Sequence, residues 1–265
     1  MADLKLLQAG AGDLGLDLTR EQLAAFSLYM NELLRWNQRA NLTAIVAPEE
    51  IQTKHFLDSL TCLLAFPDGT PPAGEPAAGD LAGRLNRGAG LSCVDVGSGA
   101  GFPGLPLKIC LPEMRLTLIE SIGKKTAFLS HIAGVLKLQD TRVLNTRAED
   151  LARTPGEREK YDVVVARAVS RMAVLAELCL PFCRVGGRVI APKKGDLAQE
   201  MEEGLYAVQT MGGRYLDPVP ARLSLLGEDR KLVVVEKLSP TPYQYPRRAG
   251  MPAKRPMMAP TGLGE

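Results

Sequence analysis

The stretch that decides the fold is VDVGSGAGFPG, residues 94–104, which continues an apolar run that begins at Leu91. Glycine recurs there at the alternate positions Gly97, Gly99 and Gly101, and a segment typical of a helix start comes next. Glycine is favoured where the backbone takes a positive φ or approaches a ligand closely. The free amides of a helix N-terminus can bind an anionic group. We therefore predict a strand, a cofactor-binding loop and a helix, in this order.

Two cofactors are compatible with this loop. The residues from Gly99 to Gly104 satisfy the dinucleotide fingerprint G-x-G-x-x-G, which by itself is a weak indication. The longer pattern, with Asp95 inside the strand, resembles the first motif of class I S-adenosylmethionine (SAM) methyltransferases. A carboxylate in a buried strand needs partners such as loop amides or a ligand. We favour SAM because no dehydrogenase substrate domain follows, and an NAD(P)-dependent oxidoreductase remains the alternative.

Three further positions support a nucleotide-like cofactor. Glu120 ends the apolar run 114–119, where a carboxylate can accept hydrogen bonds from ribose hydroxyls. The segment RAED at 147–150 follows the third predicted strand and offers an acid or an amide to the adenine edge. Arg167 follows the fourth predicted strand, and an arginine is costly to bury unpaired. We expect Arg167 to meet a carboxylate or a phosphate.

Composition restricts the class of protein. The chain has 265 residues, 46% of them apolar and 23% charged, which is ordinary for a globular protein. Its net charge of +2 excludes a uniformly basic surface, so any affinity for RNA must come from local patches. No apolar run has the length of a membrane span and the start lacks a signal-peptide layout, so we expect a cytoplasmic protein. Five cysteines without a C-x-x-C motif and only two histidines predict buried thiols and no metal site.

Periodicity and composition divide the chain into four regions. In the first, a capping-box candidate at Thr19 and Gln22 precedes apolar residues at helical spacing, and Pro48 can open a second helix. In the second, Gly, Pro and Ala fill 15 of 24 positions, too few apolar groups for a packed core. We expect a helical extension at 1–66, a linker at 67–90, a SAM-binding methyltransferase domain at 91–240 and a basic, proline-rich tail at 241–265.

The third region alternates strand and helix, which predicts a parallel sheet with right-handed crossovers. The predicted strands lie near 91–96, 114–120, 141–146, 161–166 and 187–191. Two later apolar runs, about 215–226 and 231–238, are joined by Gly227-Glu228-Asp229 and predict a closing hairpin. The predicted fold is α/β and Rossmann-like, a mostly parallel seven-stranded sheet with an antiparallel edge strand.

Several polar and aromatic residues have ordinary structural interpretations. His55 and Asp58 lie three apart on one helical face, which favours a local hydrogen-bonded pair over catalysis. Trp36 is predicted to anchor the helices on the sheet, and His131 to be structural. Lys193-Lys194 follows the fifth predicted strand, where it is either a solvated loop or an RNA contact.

The joint occurrence of several short motifs resembles the bacterial RsmG (glucose-inhibited division protein B) family. Beyond the glycine loop these motifs are LRWN at 34–37, NLTAI at 41–45, HFLDSL at 55–60, ESIGKK at 120–125, RA at 167–168, KG at 194–195, RKLVV at 230–234 and YPRRxGxPxK at 245–254. The resemblance implies SAM-dependent methylation of N7 of a guanosine in the 530 loop of 16S ribosomal RNA. The expected partner is the small ribosomal subunit or its assembly intermediate, with no membrane, and we expect a monomer. A non-catalytic RNA-binding module remains the second alternative.

The resemblance also implies site residues. With the arguments above, the predicted cofactor set is Asp95, Gly97, Gly99, Gly101, Phe102, Glu120, Ala148, Glu149 and Arg167. The predicted RNA-facing cations are Lys124, Arg147, Lys194, Arg230, Arg247 and Arg248. The sequence lacks both the Asn/Asp/Ser-Pro-Pro-aromatic motif of amino-group methylation and a Pro-Cys nucleophile. We therefore expect no general base, with Arg167 acting by positioning.

Overall fold

An eight-stranded sheet forms the centre of the computed structural model, which describes residues 3–67, 90–168, 170–221, 223, 225 and 230–259. The strands are β1 (Ser92–Val96), β2 (Arg115–Glu120), β3 (Thr141–Asn145), β4 (Tyr161–Val165), β5 (Cys183–Lys194), β6 (Gly213–Tyr215), β7 (Val219–Pro220) and β8 (Arg230–Lys237). Their order across the sheet is β3-β2-β1-β4-β5-β8-β6. The order reverses between β1 and β4, and ligands of open α/β sheets bind at the carboxyl ends of strands at such a point.

The first four strands agree with the predicted bounds to within one residue, but β5 is much longer than predicted. Its pairing with β4 shifts register between Tyr161 and Val163, so the strand continues through Gly186 and Gly187. At its other end β5 pairs antiparallel with β8 as far as Lys194. Lys193 and Lys194 therefore lie in a strand. The interpretation of this pair as a solvated loop is wrong, because the pairing with β8 extends the strand.

The closing antiparallel pairing is confirmed, although the antiparallel strand does not lie at the edge. β8 runs antiparallel to β5 on one side and to β6 and β7 on the other. Tyr215 pairs with Val235, and Val219 pairs with Leu232. Since β6 and β7 both lie along the same side of β8, the eight strands occupy seven positions across the sheet. The turn Gly227-Glu228-Asp229 lies outside the described residues.

The helices follow the predicted alternation. They are α1 (Lys5–Asp13), α2 (Arg20–Ala40), α3 (48–65), α4 (Gly104–Cys110), α5 (Gly123–Val135), α6 (Ala148–Leu151), α7 (Met172–Cys179), α8 (Ala198–Thr210) and α9 (Met251–Lys254). The capping box is confirmed, because Thr19 N–H donates to Gln22 Oε1 at 2.9 Å and Gln22 N–H donates to Thr19 Oγ1 at 3.2 Å. α3 begins at Pro48, is π-helical over Ile51–Leu57 and ends in a 3₁₀ turn at Thr61–Ala65.

The helical extension covers one face of the sheet. Side chains of β1 alternate, with Cys93 in the cluster under the extension and Val94 and Val96 in the cluster on the opposite face. Trp36 is half-buried and packs on Phe128 of α5 with ring centroids 5.6 Å apart. It therefore anchors α2 on α5. All five cysteines are buried and free, as predicted; they are Cys62, Cys93, Cys110, Cys179 and Cys183.

The described part of the C-terminal segment, 241–259, packs on the domain. The Arg158 guanidinium donates hydrogen bonds to the carbonyl oxygens of Thr241, Pro242 and Tyr245. Met257 is buried in the apolar cluster that contains Val94 and Val96, on the face of the sheet opposite the helical extension. The described part of the predicted basic, proline-rich tail therefore belongs to the folded body.

Two negative findings apply to the described residues. No helix among them combines the length and apolar character that would be needed to cross a bilayer. No group of His, Cys, Asp and Glu side chains in the same part of the chain is arranged to hold a metal ion. The predicted linker falls almost entirely on residues 68–89, outside the described part.

Candidate active site

The glycine loop follows β1 at the carboxyl edge of the sheet. Gly97, Gly99 and Gly101 have φ values of 74°, 59° and 100°, a region that side chains strongly disfavour. A Cβ on Gly99 would meet only Gly97 O, at 3.9 Å, so the space beside Gly99 is open. A Cβ on Gly101 would lie 2.4 Å from Leu105 Cδ1. Gly101 is therefore required by packing, whereas Gly99 leaves room for a ligand.

Asp95 lies beneath this loop and is fully buried. Its Oδ2 accepts a hydrogen bond from Gly104 N–H at 2.8 Å, while its Oδ1 has no partner. Burial raises the pKa of Asp95 to about 7, and the Gly104 amide and the charge of Arg167 oppose that rise. Buried polar atoms normally have partners. The orphaned oxygen therefore suits a ligand that brings a hydrogen-bond donor.

Glu120 ends β2 next to the glycine loop, because β1 and β2 pair with Val96 opposite Ile119. Glu120 Oε2 accepts from Gly99 N–H at 3.0 Å and Oε1 accepts from Ile122 N–H at 2.8 Å. A carboxylate has about four lone-pair sites, so two remain for the hydroxyls of a ribose. The carboxylate therefore holds the loop in shape and still fits the predicted ribose contact.

Arg167, at the end of β4, is bound to the helical extension. Its Nη1 donates to Asp58 Oδ2 at 2.9 Å and to Lys54 O at 2.9 Å, and its Nη2 donates to His55 Nδ1 at 3.1 Å. The expected carboxylate partner is thus Asp58. The predicted local pair between His55 and Asp58 is wrong, because both side chains bind the guanidinium of Arg167.

An aromatic stack joins the extension to the glycine loop. Phe102 stacks on His55 with ring centroids 4.3 Å apart and on Tyr29 with centroids 5.4 Å apart. Arg167 Cζ lies 5.1 Å from the centre of the Phe102 ring, and Tyr29 Oη donates to Ala100 O. Tyr29 was not predicted from the sequence. Its position among apolar residues of α2 was the available signal, since a buried tyrosine hydroxyl needs a partner.

The predicted adenine edge is occupied in part by the C-terminal segment. Ala148 and Glu149 open α6, directly after the end of β3. Glu149 is buried, and its Oε1 accepts from Gly250 N–H at 2.8 Å. Asn145 Nδ2 donates to Glu120 O at 3.1 Å and so joins this region to the predicted ribose site.

The six predicted RNA-facing cations separate into two groups. Lys124, Arg147, Lys194 and Arg248 are exposed. Arg230 is buried with Nη1 3.1 Å from Asp58 Oδ1, and Arg247 binds the fully buried carboxylate of Glu177 through Nε and Nη2. A buried carboxylate needs its counter-ion. Arg230 and Arg247 therefore serve as the counter-ions of Asp58 and Glu177, and we do not propose them as phosphate contacts.

Comparison with known proteins assigns the family. The family model described as rRNA small subunit methyltransferase G matches residues 22–71 and 82–219. Ribosomal RNA small subunit methyltransferase G of Roseiflexus sp. (strain RS-1) is 49% identical over 92% of this chain and 95% of its own length. The enzyme of the same name from Bacillus cytotoxicus is 38% identical over 96% and 99%. The chain belongs to the rRNA small subunit methyltransferase G family.

Membership of the methyltransferase G family excludes the oxidoreductase alternative. The matched ranges include α2 from Gln22 onward, α3 and the sheet as far as Val219, so the bonds between Arg167 and the extension lie within them. Aeropyrum pernix fibrillarin in complex with SAM is a similar solved structure, with a TM-score of 0.44 and 13% identity over 55% of this chain and 66% of that one. The family assignment rests on the family model and the sequence relatives.

Proposed function

We propose that this chain methylates N7 of a guanosine in the 530 loop of 16S ribosomal RNA, with SAM as the methyl donor, as a monomer in the cytoplasm. The observation that carries the proposal is the convergence of the glycine loop, Glu120 and Arg167 at the carboxyl edge of the sheet. Family membership supplies the reaction class, and the geometry supports the roles of the residues.

The residues present fit SAM. Glu120 would bind the ribose hydroxyls, the open space beside Gly99 would take the methionine end, and Ala148 with Glu149 would lie at the adenine edge. The orphaned Oδ1 of Asp95 would accept a hydrogen bond from the ligand. When bound, SAM supplies a methyl group on a positively charged sulfonium. Arg167 would hold the methionine carboxylate or a nearby phosphate.

The state of the titratable groups around Arg167 favours an acceptor atom that carries no proton. Burial, together with the charge of Arg167, lowers the pKa of His55 to about 3. Both ring nitrogens of His55 are bound, to Arg167 and to Thr43, and Asp58 faces two arginines. Guanine N7 offers an in-plane lone pair and loses no proton on methylation. The contribution of these residues is then positioning.

The exposed cations support a phosphate-binding surface around this edge. Lys124 lies at the start of α5, Arg147 immediately before α6, and Lys194 at the end of β5. Lys124 and Arg147 follow the carboxyl ends of the parallel strands β2 and β3, and Lys194 is the last residue of β5. Arg248 lies two residues before Gly250, whose amide binds Glu149. Phosphate contacts position an RNA without reading its sequence.

The test is single-turnover methylation with labelled SAM, followed by nucleoside mass spectrometry and mapping of the modified base. The substrates are naked 16S rRNA, an assembly intermediate and the finished small subunit. We expect 7-methylguanosine in the 530 loop with at least one of the three. A methyl group on an exocyclic amine would overturn the choice of N7. RNA binding without label incorporation would favour the non-catalytic alternative.

A further inference from the structure

We propose that Thr43 and His55 of the helical extension are positioning residues that fix the orientation of Arg167 at the cofactor loop. The inference rests on the proposed function, because it concerns how Arg167 is presented to SAM. It adds two residues outside the methyltransferase domain to the active site.

The geometry determines the tautomer of His55. A guanidinium only donates hydrogen bonds, so His55 Nδ1, 3.1 Å from Arg167 Nη2, must carry a lone pair. The ring proton of neutral His55 is then on Nε2, which lies 2.8 Å from Thr43 Oγ1. Thr43 Oγ1 also accepts from Ile45 N–H at 3.1 Å, which holds the hydroxyl in place. The contact with Arg167 therefore determines the tautomer, and Thr43 supplies the acceptor for its Nε2–H.

The contact with His55 completes the fixation of the guanidinium. Asp58 Oδ2 and Lys54 O both accept hydrogen bonds from Nη1. The bond from Nη2 to His55 Nδ1 holds a second nitrogen and so limits rotation of the guanidinium about Nη1. The His55 ring is itself stacked on Phe102, at an interplanar angle of 14°. The position of the guanidinium is thereby fixed relative to Phe102 of the glycine loop. Orientation of this kind is what cofactor and acceptor binding depend on.

The local structure of α3 supplies an independent reason to expect function here. Lys54 and His55 lie in the π-helical segment Ile51–Leu57. π-helical turns are rare and occur frequently at functional sites. In this segment the altered winding brings a backbone oxygen and a ring nitrogen to one guanidinium, with Asp58 following immediately.

A matched pair of variants separates positioning from packing. The side-chain oxygen of His55→Asn can take the place of Nδ1, whereas His55→Gln reaches only the place of Nε2. Both variants lose the same ring stack on Phe102. Calorimetry without RNA should give His55→Asn a SAM affinity within about threefold of wild type and His55→Gln an affinity about tenfold or more lower. Thr43→Ser, which keeps the hydroxyl, should bind SAM more tightly than Thr43→Val.

The tautomer has its own readout, which needs neither SAM nor RNA. The chain contains only two histidines, so ¹⁵N spectra with a His131→Asn variant assign the ring signals of His55. We expect an unprotonated Nδ1 and a protonated Nε2 in the wild-type chain, and a shifted Nε2 signal in Thr43→Val, which lacks the acceptor for that proton. Unfolding midpoints of the variants test whether each one is folded.

Three outcomes would overturn the inference: a protonated Nδ1, equal affinity losses in His55→Asn and His55→Gln, or no loss in either. Equal losses would mean that His55 acts by packing on Phe102. The Thr43 pair keeps the test valid if one His55 variant is unfolded. Failure of the wild-type chain to methylate rRNA would instead count against the proposed function, and the spectra and SAM affinities would still decide the positioning role.

Discussion

Asp95 is the residue at which stability and ligand binding are opposed. Its carboxyl group is buried with one oxygen unpartnered, and its pKa is raised from the ordinary value of 3.8 to about 7. Between these values the unfolded chain has released the proton while the folded chain still holds it. The free energy of unfolding therefore falls as the pH rises from about 4 to 7. The buried Asp95 carboxyl group thus lowers stability at the position where a bound cofactor would supply a hydrogen-bond donor.

Replacing Asp95 by Asn should remove this pH dependence. The Asn oxygen can still accept from Gly104 N–H, but no charge can form. The difference in free energy of unfolding, variant minus wild type, should rise between pH 4.5 and pH 8 by about 1 to 4 kcal/mol, while SAM affinity falls. Urea titrations at both pH values measure the change. A difference that is constant with pH would show that Asp95 does not titrate in this range.

Arg167→Lys tests the role of the guanidinium at the same scale. Lysine keeps the charge but has one nitrogen, which cannot bind Asp58 and His55 from two separate groups as Nη1 and Nη2 do. We expect SAM affinity to fall by about 1.5–3 kcal/mol, the range for a hydrogen bond to a charged group. The control is Arg171→Lys, an exposed arginine four residues later. Equal behaviour of the two variants in calorimetry would rule out the geometric role.

At the scale of elements, the C-terminal segment is attached to the body by buried polar contacts. Glu177 of α7 is fully buried and bound by Arg247, and Glu149 of α6 binds the amide of Gly250. The sequence predicts that removal of the chain from Tyr245 onward lowers RNA affinity and leaves SAM affinity intact. The contact between Gly250 and Glu149 changes that expectation. Truncation would remove the hydrogen-bond partner of Glu149, a predicted cofactor residue, so we expect SAM affinity to fall as well.

Two adjacent arginines test this attachment. Arg247→Gln leaves Glu177 buried without its counter-ion and should lower the free energy of unfolding by about 3–5 kcal/mol. The exposed neighbour variant, Arg248→Gln, should leave stability unchanged and weaken RNA binding instead. Denaturant unfolding and RNA titration of both proteins give the comparison. If the two variants lose the same stability, the ion pair with Glu177 does not hold the segment.

At the scale of the whole molecule, a net charge of only +2 means that RNA binding depends on where the cations lie. Lys124, Arg147 and Lys194 lie at the carboxyl edge of the sheet, whereas the exposed Arg184 lies near the amino end of β5. These cations and the proposed cofactor site share the carboxyl edge of the sheet. A single-stranded RNA bound there would place its phosphates near them.

The salt dependence of RNA binding distinguishes these positions. Each of Lys124→Gln, Arg147→Gln and Lys194→Gln should flatten the slope of log K against log salt by about 0.7, the value for one lost single-strand contact. Arg184→Gln should not change the slope, because Arg184 lies near the amino end of β5, away from the carboxyl edge of the sheet. RNA titrations at several salt concentrations measure the slopes. A slope change for Arg184→Gln equal to the others would indicate diffuse charge attraction without a defined surface.

Features that depend on neighbours along the chain can be predicted from the sequence. The positive-φ glycines after β1, the first four strands, the capping box at Thr19 and the position of Glu120 are all local patterns of spacing and residue type. The tertiary structure alone decided which charges meet. Asp58 and Arg167 are 109 residues apart, and Glu177 and Arg247 are 70 apart. The need of a buried charge for a partner is visible in the sequence, but the identity of that partner depends on which elements pack together. The length of β5 and the inner position of the antiparallel β8 also depend on tertiary structure. Both result from pairing between strands that are distant in sequence.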